Sequence, residues 1–323
     1  MTVSHRTIET NGIQMHVVEA GPQAGQLIVL CHGFPESWYS WRHQIEALSR
    51  AGYRVVAPDM RGYGKTDKPH AIDQYSMFHL VGDVVGLLDA LKAPTAVVVG
   101  HDWGAPVAWN CALMRPDRFP AVAGMSVPFF PRGVARPTTT MPATDDAIFY
   151  QSYFQMPGVA EAEFEADVAR TIRNFQWLWS GEGDPALRSR ATMVARSGGF
   201  LAGKPVPDIL PAWLTQPDLD FYTSEFQNSG FRGPLNWYRN MDRNWEQMAP
   251  WAGAKLTVPA LYIVGELDML LTFRGMDRLI PNLEIFVPNL REKLIIPNSG
   301  HWIQRERPAE INAALLRFLR SLS

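Results

Sequence analysis

The sequence predicts an α/β fold: a mostly parallel, doubly wound sheet with a helical segment inserted into it. Three observations point there. Short apolar runs alternate with amphipathic stretches, and several of those runs are apolar on both faces, as strands covered by helices on both sides are. One long section rich in Trp, Tyr, Phe and Pro breaks that alternation. The length of 323 residues, with 46% hydrophobic and 19% charged residues, suffices for one large core with an insertion, or for two domains.

In chain order, strands are expected around Val17 and Val18 and over residues 27–30, 54–57, 96–99, 121–125 and 260–264. Residues 41–49 and 78–91 have helical spacing, and the first of these runs into Ala51 and Gly52, a usual helix exit. From residue 128 to 251 no strand is evident, and Phe164, Val168, Ile172 and Phe175 recur at helical spacing. This reads as an insertion after a strand ending near Val127, set off by Pro128 and Pro131 before it and by residues 253–259 after it. The expected division is a core of residues 1–128 and 252–323 and a helical cap of residues 129–251. A cap over the carboxyl ends of parallel strands encloses whatever binds there. Residues 305–322 close the chain as a helix with Ile311, Leu315, Phe318 and Leu319 on one face.

Charge excludes several function classes. The formal net charge is −2 and no basic run stands out, so neither a nucleic acid nor an anionic membrane surface has electrostatic support as a partner. The polar start and the lack of any long apolar span point to a soluble, cytoplasmic protein. Cys31 and Cys111 read as reduced core residues. No metal-ligand cluster, phosphate-binding loop or dinucleotide fingerprint is present, and no cofactor is expected; the glycines of residues 59–65 lack the spacing and read as a turn near the sheet edge.

The chemistry concentrates at Gly100-His-Asp-Trp-Gly104, between the strand of residues 95–99 and a helix beginning near Ala105. Glycines on either side of position 102 relieve the crowding of a sharp strand-to-helix turn, the shape of a nucleophile elbow. Its central residue is an aspartate where esterases carry serine. An aspartate before a helix is more often an N-cap, so the reading depends on the other residues. A carboxylate is already ionised at neutral pH and needs no base to attack. Attack on a carboxylic ester would only give an anhydride. Attack on a saturated carbon bearing a leaving group gives an alkyl ester, which a histidine-activated water then hydrolyses.

Partners of such an elbow follow in the order nucleophile, acid, histidine. Asp268, just beyond the strand of residues 260–264, is the expected acid, with Glu266 set deeper toward the strand end, and His301 the expected base. An oxyanion hole is expected from the backbone N–H groups of Phe34 and Trp103. The Phe34–Pro35 bond is a candidate cis peptide. His32 and His101 are given structural roles.

The motifs His32-Gly-Phe-Pro-Glu-Ser-Trp-Tyr-Ser-Trp-Arg42, Asp59-Met-Arg-Gly-Tyr-Gly64, Gly100-His-Asp-Trp-Gly104, Gly230-Phe-Arg-Gly-Pro-Leu-Asn-Trp-Tyr238 and Gly300-His-Trp302 resemble those of soluble epoxide hydrolases of the α/β-hydrolase superfamily. The resemblance runs in order from near Thr7 to near Leu319. It implies the α/β-hydrolase fold, a small-molecule epoxide and water as partners, and two cap tyrosines that donate hydrogen bonds to the epoxide oxygen. Ring opening releases a strongly basic alkoxide, and a phenol that keeps its proton at neutral pH can meet it. Tyr238 matches one of the pair. Tyr150 is expected as the other, with Tyr153, one helical turn on, as the alternative, because Phe149 stands where many relatives carry aspartate. Phe34, Pro35, Trp103, Phe154, Met269 and Trp302 are expected to line an apolar pocket. A haloalkane dehalogenase shares the aspartate but needs donors for a departing halide, and a catalytically silent receptor would not need the intact set. A homodimer is left open.

Overall fold

Runs that are apolar on both faces bury both by lying side by side, and they do. The computed structural model describes residues 3–188 and 191–322. Its strands are β1 (Ser4–Thr10), β2 (Ile13–Ala20), β3 (Leu27–Cys31), β4 (Arg54–Pro58), β5 (Val97–His101), β6 (Ala121–Met125), β7 (Ala147–Phe149), β8 (Met193–Ala195), β9 (Ala260–Gly265) and β10 (Leu290–Ile296). Eight of them form one sheet in the order β1-β2-β4-β3-β5-β6-β9-β10. The pairs β1/β2 and β2/β4 are antiparallel, and all other neighbours are parallel.

The helices are α1 (Arg42–Arg50), α2 (Met77–Ala90), α3 (Gly104–Met114), α4 (Tyr150–Tyr153), α5 (Val159–Ala166), α6 (Val168–Leu178), α7 (Pro185–Arg188), α8 (Gln216–Ser229), α9 (Arg232–Arg239), α10 (Met241–Gln247), α11 (Met276–Leu279), α12 (Ile303–Glu306) and α13 (Pro308–Arg320). Strand periodicity divides the core between two faces. Val29, Val56, Val98 and Val122 pack with Leu80, Val84 and Leu87 of α2 and Ala108 of α3. Their neighbours Ile28, Val55, Val97 and Ala123 pack with Ile45 and Leu48 of α1 and Leu315 and Phe318 of α13. Parallel strands joined by right-handed crossovers place their carboxyl ends along one edge. From that edge come residues 31–34, 59–63, 101–103, 126 and 266–268.

The structure corrects several expectations. The polar start contains β1, four of whose first residues are exposed, because an edge strand has little to bury. The opposite edge, β10, is likewise half-exposed and also lies outside the expected strands. The elbow strand runs two residues further than expected, to His101, while β6 spans residues 121–125 as its sequence predicts. Between residues 128 and 251 a two-stranded ladder, β7/β8, does form. The periodic run Phe164 to Phe175 is two helices: Asp167, at φ −152, breaks the chain and caps α6 by accepting the N–H of Arg170. The terminal helix is likewise divided at Arg307, because Pro308 restricts the residue before it. The turn after β4 does not lie at a lateral edge, since β4 pairs with both β2 and β3.

Candidate active site

Local sterics build the elbow. Asp102 takes φ 49, a left-handed conformation that costs a non-glycine residue on the order of 1–3 kcal/mol and clusters at functional sites. A Cβ at Gly100 would collide with the carbonyl of Gly104, and one at Gly104 with the carbonyl of Cys31. Gly33 faces the same turn, where a methyl would overlap the Asp102 side chain and come 2.7 Å from the Trp103 nitrogen. Asp102 is not the N-cap of α3: its side chain is instead held by the Phe34 N–H, 2.7 Å from Oδ1, next to a cis Phe34–Pro35 bond.

His301 faces Asp102 with Nε2 3.3 Å from Oδ2, an ion-pair distance without hydrogen-bond alignment. On its other side Nδ1 lies 3.1 and 3.2 Å from the two oxygens of Asp268, and 3.0 Å from Ser126 Oγ. Asp268 Oδ1 also accepts the Leu270 N–H at 2.9 Å. All of these groups are buried. Burial alone would lower the pKa of His301, but the carboxylates of Asp268 and Asp102 outweigh it and push it up to about 10. Burial would likewise raise Asp268, but the charge and hydrogen bond of His301 prevail and hold its carboxyl below the ordinary value. Glu266 is exposed and accepts the N–H of Asn298, so it lies away from the imidazole rather than deeper.

Facing the elbow, Tyr150 opens α4 and Tyr238 sits in the last turn of α9, with their rings 6.0 Å apart. Burial, reinforced by the charge of Asp102, raises the pKa of both phenols, so both keep their protons at neutral pH. Gln151 donates to the Tyr150 hydroxyl at 3.0 Å. Gln155 Nε2 donates to the carbonyls of Gln151 and Tyr238, tying α4 to α9. Arg239 reinforces that tie by donating to the carbonyl of Phe154 and, through two nitrogens, to Glu161. Tyr153 turns elsewhere, donating its hydroxyl to Glu163 at 3.0 Å. Around the phenols, Phe34 and Phe154 lie edge-on to Tyr238 at 5.6 and 5.0 Å, and Trp103 at 5.1 Å.

The family model for the alpha/beta hydrolase fold matches residues 26–308. Epoxide hydrolase A of Mycobacterium tuberculosis (strain ATCC 25618 / H37Rv) is 48% identical over 322 residues, covering 99% of this chain and 98% of that protein. The chain belongs to the epoxide hydrolases of the alpha/beta hydrolase fold. Among solved structures, an epoxide hydrolase from an endophytic Streptomyces superposes with a TM-score of 0.95 at 46% identity, covering 99% of this chain and 96% of the other. Epoxide hydrolase A from Mycobacterium thermoresistibile gives 0.92 at 47%, covering 99% and 98%.

In this member of the epoxide hydrolase family the remaining expected residues divide by what they touch. Pro35 and Met269 are buried beside Phe34 and Asp268 in sequence. Trp302 lies edge-on to His301 at 4.8 Å, stacks on Trp179, and donates its indole N–H to the Gln176 carbonyl, bracing the histidine. His32 accepts the N–H of Met60, and His101 donates Nε2 to the carbonyl of His301 at 2.7 Å. Two residues escape sequence reasoning. Glu36 accepts from Gly33 N–H and Gln304 and pairs with His101 Nδ1, linking the loops before and after the elbow. Its only sequence signal is an acidic residue directly behind Phe34-Pro35. Ser126 carries none. Among the described residues no group of three or more His, Cys, Asp or Glu is placed to hold a metal, and no helix is long and apolar enough to cross a membrane.

Proposed function

We propose that Asp102, His301 and Asp268, with the Tyr150 and Tyr238 phenols, perform the two half-reactions by which this enzyme converts an epoxide and water to a vicinal diol. The observation that carries the assignment is the pair of protonated phenols across from a carboxylate held by the Phe34 N–H. In the first half-reaction an Asp102 oxygen bonds to a ring carbon, that carbon's bond to the ring oxygen breaks, and the oxygen takes a proton from a tyrosine. Alkylation removes the Asp102 charge, one of the two that hold the His301 proton. The imidazole can then give that proton up and restore the phenol.

In the second half-reaction neutral His301 takes a proton from water, and the hydroxide adds to the ester carbonyl of Asp102. Asp268 balances the imidazolium. The oxyanion lies against the backbone N–H groups of Phe34 and Trp103. Collapse expels the diol oxygen, which takes the proton from His301, and leaves Asp102 as a carboxylic acid whose proton passes to the neutral imidazole, restoring the carboxylate–imidazolium pair. Atoms balance as epoxide plus water to diol. Residues 129–251 act as the cap in this scheme, bringing both phenols to the nucleophile, with Phe34, Phe154 and Trp103 as the apolar wall.

A single turnover of styrene oxide in heavy-oxygen water tests the nucleophile. The label is expected in the Asp102 carboxylate and absent from the first diol; label in that diol would mean direct attack by water. A parallel incubation with 1-chlorobutane, scored for halide, separates this reading from a dehalogenase.

A further inference from the structure

Ser126 is the first residue after β6 and is completely buried. It stands at φ 65, a backbone conformation that a side-chain-bearing residue adopts at a cost. Two contacts fix it there. Its N–H donates to the Ile263 carbonyl at 2.8 Å, and its own carbonyl accepts the Tyr262 hydroxyl at 2.7 Å. The strain is therefore imposed from β9, the same strand whose end delivers Asp268. What it achieves is to bring Oγ to 3.0 Å from His301 Nδ1, beside Asp268 Oδ1 and Oδ2 at 3.1 and 3.2 Å from the same nitrogen.

One Nδ1–H cannot satisfy three oxygens, and a carboxylate can only accept. The hydroxyl resolves the crowding because it alone can accept from Nδ1–H and donate to Asp268. We infer that Ser126 is a positioning residue for the hydrolytic half-reaction, fixing the His301 ring and the Asp268 carboxylate in the register that accepts a proton from water. The inference rests on the two-step reading above. Attack of Asp102 on the epoxide uses neither Nδ1 nor Ser126, so the two half-reactions should respond differently to loss of the hydroxyl.

The test follows both half-reactions in single turnovers of styrene oxide, reading ester formation and decay by quenched-flow intact mass. Two variants remove the hydroxyl with opposite effects on the backbone: Ser126→Ala keeps the strain, and Ser126→Gly relieves it. In both, ester decay should slow on the order of ten- to a hundredfold while ester formation stays within about twofold of the parent, so that alkyl-enzyme accumulates. In an Asp268→Asn background the Ser126→Ala change should cost markedly less, because its partner has gone.

Decay at the parental rate in either variant overturns the inference. So does an equal fall in both half-reactions, or recovery of decay in the glycine variant alone, which would make the backbone and not the hydroxyl responsible. Absence of any ester in the parent and in His301→Gln would instead strike the two-step reading itself.

Discussion

At the scale of single residues, the decisive quantity is the charge around His301. Two carboxylates flank a buried imidazole, 3.1 and 3.3 Å from its two nitrogens. Its proton is therefore retained well past neutrality, up to about 10 against an ordinary 6.5. A pKa raised on folding means that the pairing stabilises the native state fully below about pH 6.5 and that this contribution fades as pH climbs through about 10. Asp102→Asn removes one of the two charges, so the imidazole should titrate at a lower pH in the variant, as read by its nitrogen chemical shifts. The gap in Tm between parent and variant should narrow between pH 6.5 and 10; a gap that stays constant or widens would contradict the pairing.

At the scale of elements, the turn from β5 into α3 works only because glycine stands at both of its flanks. Gly104→Ala would drive a methyl into the carbonyls of Cys31 and His32, main-chain atoms that have no rotamer to yield. Overpacking of this kind costs about 1–3 kcal/mol or more, and urea unfolding should show at least that loss. An unchanged midpoint would remove the steric argument. Sterics of this sort are local, which is why the elbow, the Phe34-Pro35 loop and the His301 loop could be read from adjacent letters. Ser126 could not, because its role depends on the ends of β6 and β9 meeting, where its N–H reaches the carbonyl of Ile263, 137 residues further along the chain (263 − 126). Adjacent letters likewise do not tell that the phase of α4 turns Tyr153 to Glu163 and sets Tyr150 beside Tyr238. Edge strands β1 and β10 were missed because they bury too little to leave a period, and β7 and β8 because three residues are too few to establish one.

At the scale of the whole molecule, the segment carrying the phenols is pressed onto the sheet's carboxyl edge through main-chain contacts. Gly233, in α9, meets Gly62 so closely that an added methyl would come 2.5 Å from the Gly62 carbonyl oxygen, while Trp237 donates to the carbonyl of Arg61 at 3.0 Å. Gly233→Ala should lift α9, and Tyr238 with it, away from Asp102. Misplacement of about 1 Å is worth on the order of a hundredfold in rate, so kcat/KM for an epoxide should fall by about that factor with the enzyme still folded. Unchanged kinetics would mean that α9 does not set the phenol's position. The histidine loop is joined to the same segment: His301 N–H donates to the Trp179 carbonyl at 2.8 Å, and Glu306 gathers the N–H groups of Gly181, Gly300 and Trp302. Any outward swing of residues 179–181 wide enough to admit a reactant therefore drags the imidazole's own backbone along. Residues 179–181 and the base of the proposed hydrolytic step are in this way one mechanical unit, so a displacement of either is felt by the other.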